Sequence, residues 1–254
     1  MVALAGYSDA SGSQADNHML VVAGLVGELD DWNSFDRQWL ERLKSEGIEA
    51  FRMADFAHFW GDFREGWEGD EPRRIAFIQT LVRLTNETAY KAFVKAVNLA
   101  DYRALDRAYK LTESFGGPYA IAQAQCLIAA FEWMQSDLKA RGEVKSPVKF
   151  FVEEGDMGQD AFRALLREQI HVFEPYVSIV PKQPAGEEVT PFHACDLIAY
   201  EHRLLYERVV TGATHTWRQS LKEIRATLSP KPTIVDHDAL TRMIEKDSVP
   251  KRAS

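Results

Sequence analysis

The stretch Gly6-Tyr7-Ser8-Asp9-Ala10-Ser11-Gly12-Ser13 decides how the rest of the chain is read. An apolar run from Ala3 ends in the carboxylate of Asp9, and Ser-Gly-Ser then breaks the chain direction, with loop chemistry continuing to Asp16-Asn17. The reading is a strand with an acid at its carboxyl end. The next segment, Met19 to Val26, is apolar on both faces, the pattern of a central strand covered on each side. A short polar loop joins the two, so an antiparallel hairpin is expected.

Length and composition set the frame. The 254 residues are 46% hydrophobic, enough for one large domain with a filled core. The formal net charge is −8. Proteins that hold nucleic acid mainly by charge are basic, so this balance argues against a tight non-specific binder. It leaves room for a local basic groove, or for an acidic site neutralised by bound metal. Cys126 and Cys195 both sit in apolar helical context and read as buried free thiols, which suits a reducing compartment. Met1 to Gly6 is too short for a signal peptide, and the longest apolar run has the length of a strand, not of a membrane span. A cytoplasmic protein with no membrane partner is expected.

Beyond the hairpin, Asp31 is expected to cap a helix whose apolar positions are Trp32, Phe35, Trp39 and Leu43, with Gly47 closing it. Phe56, Phe59, Trp60, Phe63 and Trp67 form an aromatic stretch broken by glycines, either the core of a small helical cap or a base-stacking platform. A helix follows from Pro72 to Thr88, then a third strand over Tyr90–Leu99, a short helix from Asp101 to Lys110, and a long helix from Tyr119 to Ala140 rich in small residues. Val148 opens a fourth strand that ends in Glu153-Glu154-Gly155-Asp156. Helices over Gln159–Phe173, Pro191–Val210 and Trp217–Ala226 and a short strand over Val177–Val180 complete the reading. An early hairpin, with later strands separated by helices, predicts an α/β fold: a mixed β-sheet flanked by helices. Residues 1–228 read as a single domain with a helical insertion over 30–90, and 229–254 as a weakly specified tail.

The acids recur where such a fold would bring them together. Asp9 ends the first strand, and Glu153 and Glu154 end the fourth. If these strands are parallel neighbours, their carboxyl ends meet at one edge of the sheet. Side chains alternate across a sheet, so only one of Glu153 and Glu154 can face the site. On the late helix, His193, Asp196, Tyr200, Arg203 and Glu207 are spaced by three and four and share a face. An oxygen-rich cluster of Asp9, Glu153 or Glu154, and Asp196 suits Mg²⁺ or Mn²⁺. Carboxylates held together without a cation are unfavourable. His193 is either a general base or water-orienting group, or a helix-surface histidine. Arg203 either holds a phosphate oxygen or pairs with Glu207.

Tyr7-Ser8-Asp9-Ala10-Ser11-Gly12 resembles the Y-x-D-E-S-G opening of the bacterial and phage domain-of-unknown-function family 3800, assigned to the ribonuclease H-like superfamily. Val21–Leu25 with Trp32 and Trp39 resembles its second strand and first helix. Phe51-Arg52-Met53-Ala54-Asp55-Phe56 resembles its F-H-M-x-D-F segment, and His193 to Tyr200 its Q-x-A-D-L-x-A-Y helix. Together these motifs span residues 7–200. The resemblance implies a ribonuclease H-like sheet with acids from the first strand, the fourth strand and a late helix, and it brings Asp55 forward as a further site residue. Ala10 stands where the family carries Glu, Arg52 where it often has His, and His193 where it often has Gln.

The leading expectation is therefore a divalent-metal-dependent phosphodiester hydrolase, nuclease-like, acting on a nucleic acid through Asp9, Glu153 or Glu154, Asp196, Asp55 and His193. Two alternatives stand beside it. One is a non-catalytic ribonuclease H-like binding module, and the other is a hydrolase of a small phosphorylated metabolite.

Overall fold

The computed structural model describes residues 3–12, 17–142, 148–183, 189–213, 218–228, 230 and 232–252. Ser13, Asp16, Trp217 and most of the loop from Pro181 to Glu188 lie outside them. Strands β1 (Leu4–Ser11) and β2 (Met19–Glu28) form the expected antiparallel hairpin, with Tyr7 opposite Leu25 and Asp9 opposite Ala23. Gly12 ends β1 at φ +93°, and a Cβ there would stand 2.2 Å from the Met19 carbonyl oxygen, so only glycine fits this turn.

Helix α1 (Leu29–Ser45) starts two residues before the expected cap. It carries Asp30 and Asp31 in its first turn, where the helix dipole favours negative charge, and buries Trp32, Phe35, Trp39 and Leu43. A short helix, α2 (Met53–His58), and α3 (Glu71–Thr88) follow before β3 (Lys91–Asn98). The Asp70 side chain accepts the Arg73 N–H to cap α3, and Pro72 sits in its first turn. Phe51, Phe56, Phe63, Trp67 and Phe77 pack ring against ring beneath this segment, so most of the aromatic stretch is core.

Helices α4 (Leu99–Ala108), α5 (Leu111–Phe115) and α6 (Pro118–Ala140) lead to β4 (Val148–Glu153). Helix α7 (Gln159–Glu168) is shorter than periodicity predicted. Residues His171–Tyr176, which include Pro175, form a 3₁₀ turn instead, because proline has no N–H to continue the ladder. Then come β5 (Val177–Val180), α8 (Thr190–Thr211) and α9 (Gln219–Leu228). Within 229–254, read from the sequence as a weakly specified tail, the described residues hold two further elements. Strand β6 (Thr233–Val235) joins the sheet and α10 (His237–Lys246) buries Leu240 and Ile244.

The six strands lie in the order β5-β4-β1-β2-β3-β6. β2 runs antiparallel to β1 and β3, while β1, β4 and β5 are mutually parallel. The result is the expected α/β architecture, a mixed sheet flanked by helices. Alternation sorts the strands into two cores. Ala5, Tyr7, Val21, Ala23, Leu25, Val94 and Ala96 pack with residues of α1, α3 and α8, and Leu4, Leu20, Val22, Val26, Val97 and Phe150 pack with those of α6, α7 and α10. Small residues allow the close approach of α6: a Cβ on Gly24 would stand 2.8 Å from Cys126 Sγ. Both cysteines are free and buried. No helix among the described residues is long and apolar enough to cross a membrane.

Candidate metal centre at the carboxyl edge of the sheet

Strands β1 and β4 are the parallel neighbours on which the site depends. Tyr7 pairs with Phe151 and Ser8 with Val152, so the next step along both strands reaches Asp9 and Glu153. The Tyr7 and Phe151 rings stack at 5.1 Å, which marks the face that Asp9 and Glu153 share by the two-residue repeat. Glu154 points elsewhere. It pairs with Arg163 of α7 and its side chain is 42% exposed, against 13% for Glu153.

Helix α8 brings the third acid. Its length is anchored in the core through Ala194, Cys195, Leu197 and Ile198, and the Cys195 thiol donates to the Tyr7 carbonyl at 3.3 Å. Asp196, on the adjoining face, accepts the backbone N–H of Met53 at 2.7 Å and so ties α8 to the first residue of α2. Asp9, Glu153 and Asp196 line one cavity of about 150 Å³, together with Ala10, Arg52, Asp156, Lys182 and His193.

Two of these residues escaped the sequence reading. Asp156 lies past the end of β4, where Gly155 at φ +118° turns the chain back toward the edge of the sheet. Read from the sequence, the strand runs through Asp156, and alternation along it would put Asp156 on the face of Glu154 and not of Glu153. Lys182 lies two residues past β5, and its ammonium stands 3.1 Å from Glu153 Oε2. The only available signal for it was its position just after a strand parallel to β4.

The electrostatics follow from this crowding. Burial first, then the charges of Glu153, Asp196 and Asp156, hold the Asp9 carboxyl well above the ordinary range, against the Ala10 N–H that donates to it at 2.7 Å. Asp156 is raised to about 6 by burial and by Glu153 and Asp196, with Lys182 opposing. Asp196 is also raised to about 6, mainly by burial, while the Met53 N–H and His193 pull it down. Burial alone would lower Lys182, but Glu153, Asp9 and Asp156 outweigh it and raise it.

The other candidates divide. His193 lines the cavity and is only 6% exposed, with its ring beside Trp39 and Phe51, so the helix-surface alternative does not hold. Asp55 is absent from the cavity wall, and its Oδ2 lies 4.0 Å from where a Cβ on Gly61 would stand. Arg203 is committed: it donates to both Glu207 oxygens at 2.9 Å and to Ser11 Oγ at 3.1 Å. Arg52, at the mouth of the same cavity, is exposed and has no ion-pair partner among the described residues.

The donor chemistry fits a hard divalent cation, since the four acids offer oxygen only and repel one another without one. As they stand the side chains do not make a finished ligand set. Among the described residues no group of three or more His, Cys, Asp or Glu is gathered closely enough to hold a metal ion, and the Lys182 ammonium occupies the neighbourhood of Glu153.

No family model matches the chain, and no curated protein matches it by sequence. Solved structures similar in fold include a single-substitution mutant of Bst-RNase HIII, at 15% identity over 88% of this chain and 61% of that one, with a TM-score of 0.47. Bst-RNase HIII in complex with Mn²⁺ is similar at 15% identity over 89% and 61%, TM-score 0.45. RNase HII from Archaeoglobus fulgidus, solved with PCNA, is similar at 15% identity over 97% and 91%, TM-score 0.39. The chain thus spans about three fifths of the length of the RNase HIII chains.

Proposed function

We propose that this protein is a divalent-metal-dependent phosphodiester hydrolase acting on nucleic acid, a member of the family whose Y-x-D-E-S-G opening it resembles. One observation carries the reading. Asp9, Glu153, Asp156 and Asp196, from three separate parts of the chain, line a single cavity at the carboxyl edge of parallel strands β1 and β4. Folding has brought acids together at an electrostatic cost that a bound cation would relieve.

Asp9, Glu153 and Asp196 would hold Mg²⁺ or Mn²⁺, with Asp156 able to join them. Such an ion supplies charge for a phosphate oxygen and lowers the pKa of a bound water. The chain's own residues do the rest. Asp196, fixed by the Met53 N–H, lines the cavity with its second oxygen left to ligate an ion. His193 lies against the aromatic wall of Trp39 and Phe51, placed to orient a water or to take its proton. Arg52, without an ion-pair partner among the described residues, would offer its guanidinium to a phosphate at the cavity.

The test is cleavage of labelled RNA, DNA and hybrid substrates with Mn²⁺, comparing the wild type with Asp9→Ala and with folding checked by circular dichroism. Metal-dependent cleavage lost in the variant supports the reading. A wild type that leaves the whole panel intact while binding Mn²⁺ favours the second one, a binding module that has lost catalysis. Ala10, standing beside Asp9 where the family carries an acid, is the observation behind that alternative.

A further inference from the structure

Among the aromatic residues of the helical cap, Trp60 stands apart: it is 54% exposed, whereas Phe51, Phe56, Phe63 and Trp67 are buried. A lone exposed tryptophan is unremarkable in itself. This one is built into place. Its indole stacks on the His58 ring, with centroids 5.0 Å apart and planes 29° from parallel. His58 Nε2 shares a hydrogen bond with Tyr200 Oη at 3.2 Å, and the Tyr200 ring carries the Arg203 guanidinium at 5.0 Å. The backbone is held in an unusual shape to allow this. Phe59 sits in the left-handed region at φ 59°, ψ 45°, costly for an aromatic residue, and its ring is covered by Arg74 at 4.4 Å. The Trp60 N–H is fixed on the Asp55 carbonyl at 3.0 Å.

The platform and the acids share one frame. Helix α2 is pinned to α8 at both ends, at its start by Asp196 holding the Met53 N–H and at its end by Tyr200 holding His58. Tyr200 follows Asp196 by four residues, about 6 Å along the helix axis, so the support of the platform stands one helical turn from the acid. Arg52, at the head of α2, lies at the cavity mouth.

Resting on the phosphodiesterase reading above, we propose that Trp60, backed by His58 and Tyr200, is a stacking platform for an unpaired base close to the phosphate that is cut. The substrate is then single-stranded nucleic acid, or a strand with an unpaired nucleotide there, because a base stacked on an indole cannot remain in a duplex stack.

Fluorescence anisotropy with short labelled single-stranded RNA, single-stranded DNA and the matching duplexes tests this, using the full chain with Ca²⁺ to suppress turnover. The expected result is tighter binding of a single strand than of its duplex. Trp60→Ala should weaken single-strand binding about tenfold, Trp60→Phe should retain most of it, and duplex binding should not change. Equal single-strand binding by Trp60→Ala, duplex binding as tight as single-strand binding, or no binding of any oligonucleotide overturns the platform. Cleavage assays on the same variants separate the two claims. A Trp60-dependent affinity without cleavage sinks the hydrolase and keeps the platform, and Mn²⁺-dependent cleavage with Trp60 irrelevant to affinity does the reverse.

Discussion

Replacing Asp196 with Asn should make the metal-free protein more stable at neutral pH. The Asp196 carboxyl titrates near 6 in the folded chain against an ordinary 3.8, chiefly because it is buried. At about 1.4 kcal/mol per tenfold in the acid constant, this amounts to about 3 kcal/mol of destabilisation by the ionised form. The sign follows from proton linkage: the folded state holds the proton more tightly than the unfolded one. Stability from this group is therefore intact below pH 4, falls as pH rises from about 4 to about 6, and stays low above that. Asn keeps an oxygen for the Met53 N–H at 2.7 Å, and what that bond loses with the charge is already contained in the net shift to about 6. The gain is up to about 3 kcal/mol, or about 6–12 °C in Tm for a chain of this size. Thermal unfolding in EDTA at pH 7.5 and at pH 4 measures it. The variant should melt higher than wild type at pH 7.5, and the advantage should vanish at pH 4. Saturating Mn²⁺ should reverse the order, because only the wild type retains the full set of acids. An Asp196→Asn protein that melts lower than wild type in EDTA at pH 7.5 refutes the reasoning, since it would mean the carboxylate is a structural asset without metal.

Three further outcomes follow from the same geometry. In titration calorimetry Glu153→Gln should weaken Mn²⁺ binding at least about tenfold while Glu154→Gln leaves it within about twofold, because only Glu153 lines the cavity and Glu154 pairs with Arg163. Lys182→Met should strengthen Mn²⁺ binding about tenfold by removing the ammonium 3.1 Å from Glu153; unchanged affinity would show that the lysine does not compete with the ion. Gly12→Ala should destabilise the protein by about 2 kcal/mol or more in urea unfolding, since φ is +93° and the new Cβ would overlap the Met19 carbonyl oxygen.

Much of the frame was legible in the residues. The hairpin, the double-faced apolarity of β2 and the spacing of Trp32, Phe35, Trp39 and Leu43 are short-range patterns, and each became the element it suggested. Parallel pairing of β1 with β4 was the condition for bringing Asp9 and Glu153 together, and it is met. Sequence could not choose between Glu153 and Glu154, because a shift of one residue in register exchanges the two faces. Asp156 reads as the end of the strand and not as a site residue, because the turn at Gly155 that redirects it is not visible in the sequence, and Lys182 was missed because it lies in a loop, where no periodicity speaks. Strand β6 was invisible for another reason. Three residues flanked by prolines and polar groups look like a loop, and only the open edge of β3 gives them a partner. Asp236, which caps α10, and the four-residue spacing of Leu240 and Ile244 were the traces of α10 that the sequence carried.

The central claim is that the acids at the edge of β1 and β4 are a metal centre, and anomalous diffraction from a crystal soaked in Mn²⁺ tests it most directly. The predicted map has a peak bonded to the carboxylates of Asp9, Glu153 and Asp196, with Lys182 displaced from Glu153. A fully soaked crystal with no peak in that cavity, and with Lys182 still paired to Glu153, would contradict the account.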